Sequence, residues 1–515
     1  MNTGQAIARH TIHLCLCLLI CVHLCPICGN HSLAVEVSRA KADALIEQLP
    51  AEDPFEKNKD AGVLAWNEAY IIHAFIDLYE ATGDEKYLHE AVRRGDRILS
   101  HRDDRRGFED SSGIAHKRWS IGTKYTLGEA VLLDAAGQGV IKLRSTTFAH
   151  NHLTRVEVRD SDAGADRFTI ALSNRFWKRE ETFSDLSIDP KHPRYFATVI
   201  NDDKPRPRPF APPGTSTEAS QLLRAAPASA AIDRPRAQSL SLTPLWHAHV
   251  GYVGIIYHPM LRLAVLAKHQ PEKLKGFKDA ADRFTAAADE SFAELESHWR
   301  DGPHAGEGYY INCLPGGAEA YDNVPHAFNY LGKLATSQLL LLELTAEPRY
   351  RQRATRIATL FKNRLRRVEG DRYVWNYWME PITTGWTSAD KVSLNTPHHE
   401  PWPQVEDTSH GALEVEMVVH AADAGIVFGP VDVQRFANTY LHNVVLPDRS
   451  GFFGRVDGTE PDSRYKGTRV VGWLSLAGVD RRVYDLSLQV YQNRNADDFR
   501  TVAALLKWQR RLENR

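Results

Sequence analysis

The chain has 515 residues, of which 43% are hydrophobic and 25% charged, the balance of an ordinary globular protein with room for about two to four domains of roughly 150 residues. Lys plus Arg number 63 against 65 Asp plus Glu, so no basic field marks a nucleic-acid binder. A neutral total can still hide a charged cleft, and an acidic ligand is not excluded.

At the start, Arg9 and His10 precede an apolar run from Leu14 to Leu24, and Ser32-Leu33-Ala34 follow at cleavage spacing. This is the pattern of a secretory leader over residues 1–34, too short for a spanning helix. The expected location is secreted or periplasmic, with a lipid anchor at Cys25 or Cys28 the lesser alternative and no membrane span in the mature chain. Cys15, Cys17, Cys21, Cys25 and Cys28 all lie in the leader, leaving Cys313 alone. The mature chain therefore has no internal disulfide framework, and Cys313 reads as a buried filler.

Leu64–Thr82 is apolar on nearly every side, the mark of a helix buried on both flanks. Gly83-Asp84 breaks it, and Tyr87–Leu99 follows as a one-sided amphipathic helix. The pairing returns at Phe328–Thr345 and from Pro348 to about Leu365. The two hairpins align without gaps: Thr82 with Thr345, Tyr87 with Tyr350, Ala91 with Ala354. Further pairs fit Gly251–Ala267 with Phe277–Leu295, Gly411–Ala424 with Val431–Leu446, and Val483–Leu512. Alternating buried and exposed hairpins predict a mainly α protein, an (α/α) toroid closed on itself rather than an open array.

Residues 134–240 interrupt the pattern. Val140–Leu143, Arg155–Val158 and Phe168–Leu172 carry β-formers separated by turn residues, predicting a small β-rich insertion between toroid segments 35–133 and 241–515. Within it, Lys204–Ser239 is rich in Pro, Ala and Ser and reads as a loop that tolerates shortening. Glu181–Pro190, with Pro193-Arg194-Tyr195 and Val199-Ile200-Asn201, resembles a signature of contractile phage tail sheath proteins. That resemblance spans about 20 residues and implies a shared β element.

Polar and aromatic clusters recur where inner helices begin: Trp66-Asn67-Glu68, Trp246-His247-Ala248-His249 with Tyr252, His326 to Tyr330 with Asn329, and Glu406-Asp407 with His410. In a ring of parallel inner helices these starts share one mouth. The segment before the last is dense in aromatics, with Trp375, Tyr377, Trp378 and Trp402. Aromatic faces stack on pyranose rings, while Asn, His and carboxylates bond hydroxyls. For any single cluster a helix cap or core aromatic explains the residues as well; four on one rim favour a site.

These features together resemble the broad class of (α/α) toroid carbohydrate-active proteins, which includes polysaccharide lyases, uronyl C5-epimerases and glycoside hydrolases. The resemblance is architectural. An Asn-Asn-His string found in some toroid lyases is absent, with Ala149-His150-Asn151-His152 the nearest approach, so no family residue carries over. The expected function is a polysaccharide-processing enzyme, a lyase or C5-epimerase that removes the C5 proton of a uronic acid. His410, Asp407, Glu406, Tyr330 and His249 are the expected catalytic groups. Trp66, Asn67, Glu68, Trp246, Tyr252, Asn329, Trp375, Tyr377, Trp378 and Trp402 are the expected substrate contacts. A hydrolase using Glu68, Glu307, Glu406 or Asp407 is the alternative, and a non-catalytic glycan-binding or assembly protein the third. The expected partner is a polysaccharide or oligosaccharide, with no nucleic acid. No cofactor motif is found, and His410 with Glu414 lacks a third metal ligand at firm spacing.

Overall fold

The computed structural model describes residues 37–50, 52–57, 59–201, 219–229, 233–462, 470–494 and 498–515. The leader expected over residues 1–34 lies outside them.

Helix α1 (Arg39–Ile46) opens the body, followed by α2 (Ala69–Thr82), α3 (Lys86–Ser100) and the single turn α4 (Asp103–Arg106). Helix α5 (Phe196–Ile200) belongs to the insertion. The ring resumes with α6 (Val250–His269), α7 (Lys278–Glu294), α8 (Phe328–Thr345), α9 (Pro348–Lys362), α10 (Thr408–Asp423), α11 (Pro430–Thr439), α12 (Val470–Trp473), α13 (Arg481–Arg494) and α14 (Phe499–Glu513). Helices α2, α6, α8, α10, α12 and α14 pack each on the next, and α14 packs back on α2. This closes the expected (α/α) toroid. Helices α3, α7, α9, α11 and α13 form the outer layer, with α1 against α14.

The inner helices are hydrophobic all round because neighbours cover every face. Helix α6 is long and apolar enough to cross a membrane, but 83% of that stretch is buried inside the molecule, where it serves as ring wall. Gly254 lets α6 approach α8: a Cβ there would lie 2.5 Å from the Leu334 backbone nitrogen. The two aligned hairpins share their details. Thr82 and Thr345 each donate to the carbonyl four residues back at 2.7 Å, and Tyr87 and Tyr350 each reach an aspartate, Asp43 and Asp289. Gly83 ends α2 at φ 73°, in the left-handed region that suits glycine.

The insertion leaves the ring through β1 (Ser120–Ile121) and returns through β10 (His247–Ala248), which pair antiparallel with Ser120 opposite Ala248. Between them run β2 (Gly128–Leu133), β3 (Gly139–Ser145), β4 (Thr154–Asp160), β5 (Phe168–Asn174), β6 (Arg179–Leu186), β7 (Leu223–Pro227), β8 (Gln238–Ser241) and β9 (Thr243–Pro244). They form two four-stranded sheets, ordered β7-β3-β2-β9 and β6-β5-β4-β8. Leu132, Ile141 and Leu143 from one sheet and Val156, Val158, Ile170 and Leu172 from the other share one core.

The loop expected over Lys204–Ser239 is corrected in part. Leu223–Pro227 is strand β7, paired along β3, and Leu222, Leu223 and Ala225 are buried in the sandwich. Apolar side chains in a Pro-rich context were enough to complete a sheet; residues 202–218 and 230–232 lie outside the described set. The sheath-like segment is also core. Phe183 and Leu186 on β6, then Phe196 and Ile200 on α5, fill the same sandwich interior.

Candidate functional site

The connections into α6, α8, α10 and α12 are long, and those out of α2 and α8 are short. Residues 101–249 precede α6, 299–327 precede α8, 363–407 precede α10, and 440–469 precede α12. Turns of a few residues (83–85, 346–347, 479–480) lead outward at the other end. Among the described residues, these long loops enter at the inner-helix N-termini, the mouth of the ring, where loops carry functional groups on a rigid frame.

A π-helical turn over Leu64–Glu68 sets Trp66 into this mouth. Its indole nitrogen is 3.3 Å from the Tyr252 hydroxyl, and its ring lies 6.2 Å from Tyr252, 5.8 Å from Tyr330 and 6.0 Å from His410. Tyr377 lies 5.3 Å from His410. His249 caps α6, its Nδ1 accepting from the Tyr252 amide at 3.1 Å. Its ring is 5.3 Å from Tyr330 and 5.1 Å from His326.

Asp407 caps α10. One carboxylate oxygen accepts from the amides of Ser409 and His410 at 2.9 and 3.1 Å, and the other holds His410 Nδ1 at 2.5 Å. Burial works to raise the Asp407 carboxyl, but the His410 charge and the hydrogen bonds from His410 and Ser409 outweigh it and hold it low. Beneath lies a second pair. Glu406 is fully buried beside Glu414, and burial, then the Glu414 and Asp407 charges, pushes its carboxyl well up. Glu414 is pushed up to about 8 by burial, against the hydrogen bonds it shares with Glu406 and Trp375. Two carboxylates in a dry site cannot both ionise, so the pair holds a proton at neutral pH.

Burial, reinforced by neighbouring imidazoles, keeps His249 and His326 neutral, His326 down to about 3. Burial likewise raises the hydroxyls of Tyr252, Tyr330 and Tyr377 and keeps them protonated.

The structure thus brings together Trp66, His249, Tyr252, Tyr330, Tyr377, Asp407 and His410, with Glu406 below them. The other expected residues stand outside this group, apart from Trp378 at its edge. Glu68 turns to the outer layer, in ion pairs with Arg94 at 2.9 Å and Arg97 at 2.6 Å. Asn67 is exposed. Trp375 is core, against Phe361, Phe436 and Trp473. Trp246 covers Gly122 and stands edge-on to Phe108 at 5.4 Å. Trp402 packs with Tyr321 and Trp386 in a second aromatic cluster, and Trp378 links that cluster to the mouth, edge-on to Tyr377 with ring centroids 5.1 Å apart. Asn329 is fully buried, and its side-chain amide makes no hydrogen bond among the described residues. Glu307 is buried against Arg364 and Asn363, away from the mouth.

Sequence reasoning missed Glu319. It sits on the 299–327 loop, its Oε1 3.0 Å from His247 Nε2 and 3.9 Å from His249 Nε2. A lone carboxylate in an aperiodic loop after Gly316-Gly317 carries no local signal; only the fold delivers it to the histidines.

Three groups among the described residues can gather around a cation, each with ligand atoms within 4.8 Å: Glu406, Asp407 and His410; His258, Glu416 and His420; and Asp53, Glu56 and His101.

No known family profile matches the chain, and no curated protein does. Solved structures with a similar trace include an α-1,6-mannanase of Salegentibacter sp. HEL1_6 in complex with α-1,6-mannotriose (TM-score 0.34, 12% identity), covering 52% of this chain and 77% of that one. A D-mannose isomerase matches with TM-score 0.33 and 13% identity over 53% of this chain and 74% of its own. An α-mannanase of Bacteroides thetaiotaomicron matches with TM-score 0.31 and 12% identity over 47% and 59%.

Proposed function

We propose that the mouth of the ring is the active site of a carbohydrate-active enzyme that removes a proton from the C5 carbon of a uronic acid within a glycan, as a lyase or C5-epimerase. The observation that carries this reading is the His410–Asp407 dyad set among Trp66, Tyr330 and Tyr377. The Nδ1 bond to Asp407 orients the imidazole and stabilises its protonated form, so that Nε2 is the atom that takes the proton. The developing enolate meets the N-terminal ends of α2, α6, α8 and α10, whose dipoles favour negative charge. Tyr330 and Tyr377, kept protonated, supply the acid: to the leaving oxygen in an elimination, or to the opposite face of C5 in an epimerisation. Trp66 offers a face for the sugar ring, and the fully buried Tyr252 behind it accepts from the indole nitrogen at 3.3 Å.

A hydrolase is the second reading, favoured by the Glu406–Glu414 pair, since a carboxyl raised to about 8 is a general acid at neutral pH. The full burial of Glu406 and Glu414 counts against direct contact with substrate. The experiment is incubation of the purified protein with a polysaccharide panel, following ultraviolet absorbance, reducing ends and exchange of C5 hydrogen for deuterium. Unsaturated product means lyase, exchange without cleavage means epimerase, and reducing ends alone mean hydrolase. Glycan binding with none of the three leaves a binding or assembly protein. The leader pattern supports export, with the mature chain beginning near Val35; intact mass of secreted material tests it, and a protein retaining residues 1–30 would refute it.

A further inference from the structure

Below the layer of Trp66, Tyr70 and His410, the inner helices enclose a cavity of about 850 Å³. It reaches the opposite end of the ring, where its lining residues His269 and Glu343 are 59% and 39% exposed. His73, Lys333, Glu416 and His420 also line it. We propose that His258, Glu416 and His420 form a binding site for a divalent transition-metal ion of the zinc type, separate from the mouth.

Three observations carry this. The ligand atoms come from two helices, His258 from α6 and Glu416 and His420 from α10, and lie within 4.8 Å of one another. Glu416 and His420 are four residues apart and share a helix face. His258 is fully buried, yet its Nε2 makes no hydrogen bond among the described residues and lies 3.7 Å from Glu416 Oε1. A buried imidazole nitrogen in that state is costly unless something binds it.

The set suits zinc, which takes imidazole and carboxylate at about 2.0–2.2 Å in a tetrahedron, so that side-chain shifts of about 1 Å close it. One neighbour opposes the ion: Lys333 Nζ lies 3.0 Å from His258 Nδ1 and bonds the other carboxylate oxygen of Glu416, so binding through His258 Nε2, which leaves the proton on Nδ1, turns the ammonium away from that nitrogen. Glu416 and His420 line the cavity, which gives an ion a route in. An ion here ties α6 to α10 across α8, which lies between them in the ring.

The test uses the full chain stripped with chelator and titrated with zinc alone, read by calorimetry and by thermal midpoint. The expected result is one equivalent bound, with a midpoint several degrees higher, lost in both His420→Phe and Glu416→Gln. Should His420→Phe fold poorly without metal, His420→Gln, which keeps the volume and polarity, carries the comparison. Lys333→Gln removes an opposing positive charge and offers His258 Nδ1 an acceptor, so binding tightens by about tenfold. Zinc binding unchanged by His420 and Glu416 substitution, absent in the wild type, or weakened in Lys333→Gln overturns the proposal.

Discussion

The two ends of the inner ring are built from the same helices and do opposite things with their polar residues. At the mouth, neutral imidazoles, protonated tyrosines and a shared-proton carboxylate pair sit among aromatic rings. At the far end, charges are paired. Asp77 on α2 accepts from Arg262 at 2.8 Å and Lys507 at 2.7 Å; Glu80 accepts from Arg262 and Arg511, each at 2.5 Å. Those pairs join α14 to α2 and α6, where the first and last inner helices must meet. The difference follows from the connections. Short turns leave no loop to intrude at the far end, so the helices satisfy one another. Long loops at the mouth hold groups apart from their natural partners, the condition that shifts their proton affinities.

The largest effect is expected at the far end. Asp77→Ala leaves Arg262 and Lys507 facing a lost partner in a nearly dry site and should cost at least ~3 kcal/mol of stability in denaturant unfolding. Activity per folded molecule should hold; a fall in turnover at unchanged stability would break the division between the two ends.

Next comes the mouth. His410→Ala or Asp407→Asn should cut turnover by at least about 100-fold, the scale of one acid–base group, with the melting temperature held within a few degrees. The reverse pattern, a loss of about 1 kcal/mol with turnover kept, would make Asp407 a helix cap and nothing more.

Between the two ends, Gly254→Ala drives a methyl into the α8 backbone and should cost about 1–3 kcal/mol, seen as a shifted denaturation midpoint. It should affect stability and not the pH profile, which separates ring packing from mouth chemistry.

The last effect is read as a slope against pH. A carboxyl held above its unfolded value keeps a proton that the unfolded chain has released, so its contribution to stability falls as pH rises from about 4.5 towards 8. Glu414→Gln removes its share of that dependence, and its thermal midpoint should decline less than the wild type's between pH 5 and about 8. Equal slopes would mean that the pair does not share a proton.

Much of the architecture was legible in the chain itself. The doubly apolar segments, the break at Gly83 and the gapless match of Thr82, Tyr87 and Ala91 with Thr345, Tyr350 and Ala354 state a repeat of buried and exposed helices. Such a repeat closes into a ring because every inner face needs a neighbour. Helix starts near Trp66, His249, Tyr330 and His410 were likewise readable, and parallel inner helices place them at one mouth. Leu223–Pro227 was misread because pairing to β3 overrode a composition that locally suggests a loop.

What only the tertiary structure decided is which side chain at each start faces inward. Trp66, Asn67 and Glu68 are consecutive, yet one enters the mouth, one is exposed and one pairs with Arg94. About 100° of helical turn separates neighbours, and the phase of that rotation is set by packing against distant helices rather than by the local string. The same holds for Glu319, which no periodicity announces, and for His258, Glu416 and His420, which become one group only when α6 and α10 close around the cavity. Sequence specified the helices and the order in which they alternate, because periodicity is a local property. The sites are a property of their rotation and distance, which long-range packing alone determines.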